Sequence, residues 1–244
     1  MSILYDESQQ AIAAESRRVL DARINKDRLL ALLEQTGEFD RPFWDTAVEQ
    51  GWTAMAIPEE HGGLALGLTE VGLVAQATGA ATAGAPFLTS GYGAACALVA
   101  GADADLAAEW LPRLASGETT AVMAFAEAGS ALPGESDVSF AAGKLTGTKP
   151  AVPGGLRADI AVVWANRDGE PVLVLCELAG VQRDVADSFD NSRLYADLVF
   201  EHEGRYWVLD YKSNHLGPDD RAYSPEALDQ AMAHHRYEVQ AALY

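Results

Sequence analysis

The sequence predicts an α+β protein: a helical part over 1–117, a β-rich part over 118–196, and a β-hairpin plus helix over 197–244. Three observations carry that expectation. Apolar residues recur at helical spacing as far as Ala115. At Gly117 the period gives way to short apolar runs separated by Gly and Pro turns. Around residue 188 the composition shifts, with two tyrosines and one histidine before it and six and four after it.

Taken in order, Asp6 is placed to cap a helix reaching about Ala22, with Ile12, Val19 and Leu20 on its apolar stripe. Lys26 to Thr36 carries Leu29, Leu30, Leu32 and Leu33 and stops at Gly37. Arg41 to Gln50 turns Phe43, Trp44 and Val48 inward and stops at Gly51. Thr69–Ala83, Ser90–Val99 and Asp103–Ala115 complete the helical part, the last anchored by Trp110 and Leu111. Thr119–Ala126, Lys144–Lys149, Ile160–Ala165 and Val172–Leu178 read as strands, with turns at Pro153-Gly154-Gly155 and Asp168-Gly169. A helical domain followed by a β-rich one is an α+β arrangement.

Composition narrows the function. A net charge of −19 over 244 residues opposes nucleic acid and anionic membrane surfaces in the absence of a local basic patch. The two cysteines, Cys96 and Cys176, form no CxxC and read as reduced thiols of a cytoplasmic protein. The acidic N-terminus lacks the features of a signal peptide. Val71 to Ala102 holds no charged residue, yet it is rich in Ala, Gly, Thr and Ser and broken by Pro86, so two buried helices are expected and no membrane span. Gly91-x-Gly93 lacks the third glycine of a dinucleotide loop, and His234-His235 lacks zinc spacing.

Ile57-Pro58-Glu59-Glu60-His61-Gly62-Gly63, Ala124-Phe125-Ala126-Glu127 and the strand-turn-strand from Lys144 to Ala165 resemble the acyl-CoA dehydrogenase family over residues 1 to 200. The resemblance implies a helical N-terminal domain, a β-barrel middle domain, an acyl-CoA ligand, and FAD with its isoalloxazine ring against backbone groups near Phe125, Ala126 and Val152. Ala126 stands where the family has a threonine whose hydroxyl assists the flavin, and Gly129-Ser130-Ala131 replaces its Gly-Ser-Asp. The family's C-terminal helical domain, which carries the catalytic glutamate, has no counterpart in the sequence. The expectation is a scaffold without dehydrogenase activity, and self-association through the surface that domain would cover.

The tail has a pattern of its own. Tyr195–His202 and Arg205–Lys212 are β-rich runs separated by Glu203-Gly204, which suits a two-residue hairpin. In that register Asp197 opposes Asp210 and Lys212 shares the face of Asp210. Opposed carboxylates about 5 Å apart repel unless a cation lies between them, so the arrangement suits Mg²⁺ acting on a phosphodiester. Ser224-Pro225 opens a helix that Leu228, Met232, His235 and Val239 would pack, with Gln240 and Tyr244 on one face. These residues resemble RecB-type nucleases of the PD-(D/E)XK class over 197–244. The resemblance implies that Asp197 and Asp210 bind Mg²⁺, that Lys212 orients water, and that Gln240 and Tyr244 shape a DNA site. The sequence thus reads as a chimera, with a DNA nuclease and a non-catalytic binding module as the competing functions.

Overall fold

The computed structural model describes residues 5–34, 39–83, 86–128, 135–186, 195–201 and 204–209. The chain divides into two compact units, Met1–Tyr211 and Lys212–Tyr244, and every described residue belongs to the first. The expected tail residues Asp210, Lys212, Gln240 and Tyr244, the helix opened by Ser224-Pro225, and the Gly129-Ser130-Ala131 stretch lie outside the described residues.

Among the described residues there are six α-helices: α1 (Glu7–Arg23), α2 (Lys26–Glu34), α3 (Arg41–Glu49), α4 (Leu68–Ala80), α5 (Ala95–Gly101) and α6 (Ala104–Ala115). Asp6 closes a reciprocal capping box with Gln9, each side chain accepting from the other's backbone N–H. Asp40 and Asp103 accept from Phe43 N and Leu106 N at 3.0 and 2.8 Å. The expected helix at 90–99 instead begins as a π-helical stretch, Leu88–Ala94, that runs into α5. Two of the α2 leucines do not reach the core, Leu30 and Leu33 being 49% and 44% exposed. No described helix is long and apolar enough to cross a membrane.

Among the described residues eight strands follow: β1 (Ala121–Ala124), β2 (Ser139–Ala141), β3 (Lys144–Val152), β4 (Ile160–Arg167), β5 (Glu170–Glu177), β6 (Gln182–Val185), β7 (Ala196–Phe200) and β8 (Tyr206–Leu209). They are joined in the order β6-β7-β3-β2-β4-β5-β8, with β1 parallel to β4. β4 and β5 are buried on both faces, which is why they read as unbroken apolar runs. Ile160, Val162, Leu173, Leu175 and Leu209 face Leu98, Leu106, Trp110, Leu111 and Leu114 of the helices. The opposite face, with Ala161, Val163, Val174, Cys176, Leu198 and Phe200, closes on Val122, Leu145 and Val152. A third cluster, around Phe43, Trp52, Val74 and Phe87, holds the helices together.

The tail hairpin is corrected by the sheet. β7 is paired on one edge to β3 and on the other to β6, while β8 is paired to β5, Val208 lying opposite Val174. With both edges taken, β7 has no room for β8, and the residue opposite Asp197 on β6 is Asp184. Burial explains the preference: Leu198, Phe200 and Leu209 are at most 2% exposed, each contributing on the order of 1.5–3 kcal/mol. An isolated two-stranded hairpin would bury far less.

Candidate functional site

The residues expected to meet a flavin lie at two strand ends. β1 stops at Ala124, and the chain turns through the half-buried Phe125, Ala126 and Glu127. Val152 ends β3 and is itself 1% exposed, with its side chain in the sheet core. One ion pair ties the two ends. Lys149 is fully buried, and its Nζ donates to Glu127 Oε1 and, at 3.1 Å, to Ser136 Oγ. Ser136 in turn donates to Trp164 O at 2.9 Å and accepts from Val138 N at 3.1 Å. The network therefore joins the exit of β1, the approach to β2, β3 and β4.

Burying an ammonium costs several kcal/mol unless it is paired and hydrogen-bonded. Burial pushes the Lys149 ammonium below the usual lysine range, and the Glu127 carboxylate opposes that shift. Glu127 Oε2 is buried and has no hydrogen-bond partner among the described residues. The site thus keeps one shielded acceptor beside the Phe125–Ala126 bend.

The end of β3 is irregular in a definite way. Its register to β7 runs Lys149↔Leu198 and then Val152↔Ala196, so Pro150 and Ala151 together oppose Asp197 alone. That is a β-bulge. Proline has no N–H for the ladder, which is why the irregularity falls there. Ala151 takes a left-handed φ of 47°, and its N–H donates to Asp197 Oδ1 at 2.7 Å. Beyond Val152 the turn closes by Gly155 N donating to Val152 O at 3.1 Å. Gly154 needs its positive φ of 77°, and a side chain there would crowd Val122.

Arg183 of β6 fastens the same turn from outside. Its guanidinium donates to the carbonyls of Leu156 and Ala158 at 3.1 and 2.9 Å, and to Leu178 O at 2.8 Å. Burial lowers the Arg183 pKa, with nearby Asp159 opposing. On the other side the π-helical stretch presses on β1: Ser90 Oγ accepts from Ala121 N at 3.0 Å, and a Cβ on Gly93 would lie 2.7 Å from Met123.

Of the residues singled out from the sequence, the structure thus brings Glu127 at the Phe125–Ala126 bend to the strand that Val152 ends, and sets Asp197 against the bulge beside it. Sequence reasoning missed Lys149, Arg183 and the bulge. The signal for the bulge was Pro150 inside an apolar strand; a buried lysine leaves no periodic trace. Among the described residues no group of three or more His, Cys, Asp or Glu is placed to hold a metal.

Comparison with known proteins agrees with this architecture. Residues 6–118 match the family model for the acyl-CoA dehydrogenase N-terminal domain. Acyl-CoA dehydrogenase FadE28 of Mycobacterium tuberculosis is 36% identical over 124 residues, which is 50% of this chain and 36% of that one. The RecBCD enzyme subunit RecB of Escherichia coli is 58% identical over 50 residues, 20% of this chain and only 4% of RecB. Among solved structures, the ChsE4-ChsE5 complex from Mycobacterium tuberculosis superimposes with a TM-score of 0.74 at 25% identity, covering 85% of this chain and 57% of that chain. A glutaryl-CoA dehydrogenase from Mycobacterium smegmatis in complex with FADH2 gives 0.74 at 20% identity, covering 87% and 57%. The first unit is an acyl-CoA dehydrogenase-like scaffold.

Proposed function

We propose that this scaffold holds FAD and an acyl-CoA, with the isoalloxazine ring against backbone groups of Phe125, Ala126 and Val152. The observation that supports the reading most is the buried Lys149–Glu127 pair, because it fixes the exit of β1 to the bulged strand that Val152 ends. The residues suit the group. The bulge takes Pro150 and Ala151 out of the ladder, and a shielded oxygen of Glu127 stands beside the bend. Ala126 offers no hydroxyl, so recognition there falls to the backbone.

Bound at this place, FAD would supply a two-electron redox centre. The chain's own residues orient the ring and exclude water from its edge. In this reading the chain does not dehydrogenate a thioester by itself, since α-proton removal needs a carboxylate within hydrogen-bond reach of that carbon. Glu127, the carboxylate at the bend, is engaged with Lys149. The test is the visible spectrum of the purified protein after incubation with FAD and desalting. A retained flavin band supports the reading, and a colourless protein overturns it.

The 58% identity to RecB over 50 residues favours a second reading, a Mg²⁺-dependent DNA nuclease using Asp197, Asp210, Lys212, Gln240 and Tyr244. Metal-dependent cleavage of linear DNA that disappears in Lys212→Ala would establish it over the first. The pairing of β7 with β3 and β6 weighs against it.

A further inference from the structure

Asp197, which the tail pattern suggests as a metal ligand, has a different task in this fold: we propose that it is a positioning residue whose carboxylate holds the β3 bulge in the shape that FAD binding at this strand end requires. The proposal rests on the flavin reading above. Asp197 is the single residue of β7 that faces the two bulged residues Pro150 and Ala151. Bulging removes the Ala151 amide from the regular ladder, and Asp197 Oδ1 accepts it at 2.7 Å. A left-handed φ of 47° is one that residues with a Cβ seldom hold without support. The carboxylate supplies that support, and so sets the direction in which the chain enters Val152.

The neighbouring charge does not call for a cation. Asp184, directly opposite Asp197 on β6, accepts from Gln182 Nε2 at 3.1 and 2.9 Å through its two oxygens. Each of the two facing carboxylates thus has a donor of its own.

The test compares FAD affinity and the shape of the bound flavin band for the full chain and for Asp197→Asn, Asp197→Ala and the double variant Asp197→Ala/Ala151→Gly, with and without Mg²⁺. Asparagine keeps an oxygen that accepts the same bond, so its affinity stays within about threefold of the wild type. Alanine weakens binding about tenfold, the equivalent of one hydrogen bond, and alters the band. Ala151→Gly restores much of that loss, because glycine takes a positive φ without strain. A purely structural role would lower the melting temperature of Asp197→Ala while leaving FAD affinity and band unchanged, and that result overturns the proposal. So does a Mg²⁺-dependent rise in wild-type melting temperature that Asp197→Asn abolishes, since it identifies a metal ligand. If the wild type takes up no FAD, the flavin reading falls and this role with it; if the wild type binds and Asp197→Ala binds equally, only this role falls. Hydrogen exchange needs no variant: the Ala151 amide is expected to exchange slowly, and fast exchange overturns the proposal.

Discussion

Trp207 of β8 stands edge-on to Trp110 of α6, their ring centroids 5.6 Å apart and their planes at 75°. The strand that follows the Glu203-Gly204 dipeptide is therefore held by the helical part as well as by β5. Trp207→Ala should lower stability by about 2–3 kcal/mol, below the range for a fully buried tryptophan because Trp207 is only half-buried. A double-mutant cycle with Trp110→Phe in urea should return a coupling of about 0.5–1.5 kcal/mol. A coupling near zero would mean that the two rings do not meet.

Two cysteine pairs sharing position 208 separate the sheet from the hairpin. Val208 opposes Val174 in the structure, whereas in the hairpin register it opposes Val199. Directly opposed antiparallel residues have Cα atoms about 4.5–5.5 Å apart, within disulfide reach. Val174→Cys/Val208→Cys should close under mild oxidation, and Val199→Cys/Val208→Cys should remain reduced. Peptide mapping reads the result, and the reverse pattern would restore the hairpin.

Lys149 is fully buried and paired with Glu127. Lys149→Met strands a buried carboxylate and should cost about 3–5 kcal/mol. Removing both charges together, in Lys149→Met/Glu127→Leu, should recover most of that loss. Urea unfolding checks both, and a double variant as unstable as the single one would show that the pair does more than neutralise itself.

Cys176 lies in the sheet core, and burial pushes its thiol from 9.0 up to about 12. Its contribution to stability is complete below pH 9 and is lost as pH rises from 9 towards 12, because the unfolded chain releases that proton first. The slope approaches 1.36 kcal/mol per pH unit in that window. Cys176→Val should flatten the alkaline limb of a stability–pH profile relative to the wild type. Lys149 acts in the opposite sense, since its lowered pKa makes deprotonation below 10.5 favour the folded state. An unchanged profile in Cys176→Val would show that the thiol is not shielded.

The helices were legible because their ends are written locally: Asp6, Asp40 and Asp103 cap from within three residues, and Gly51 turns the chain at a φ of 72°. β4 and β5 were legible because burial on both faces leaves no polar gap. β2 and β6 were not, as Ser139–Ala141 is three residues long and Gln182–Val185 has no buried side chain. The tail hairpin failed for a different reason. Alternation over 196–200 and 206–209 states correctly that these residues are strands, but it does not name their partners. The competing edges belong to β3, β5 and β6, between 11 and 53 residues away in register. The hydrogen-bond partner of Asp197, Ala151, lies 46 positions away, beyond any local reading.

Lys149 also constrains the order of events as the chain folds. An ammonium and a carboxylate 22 residues apart must find each other before either can leave water, since each alone would be costly to dehydrate. β3 therefore cannot complete its docking until the exit of β1 arrives. Closure of this part of the sheet becomes a single concerted step, in which a chain that has joined only one of the two strands gains little.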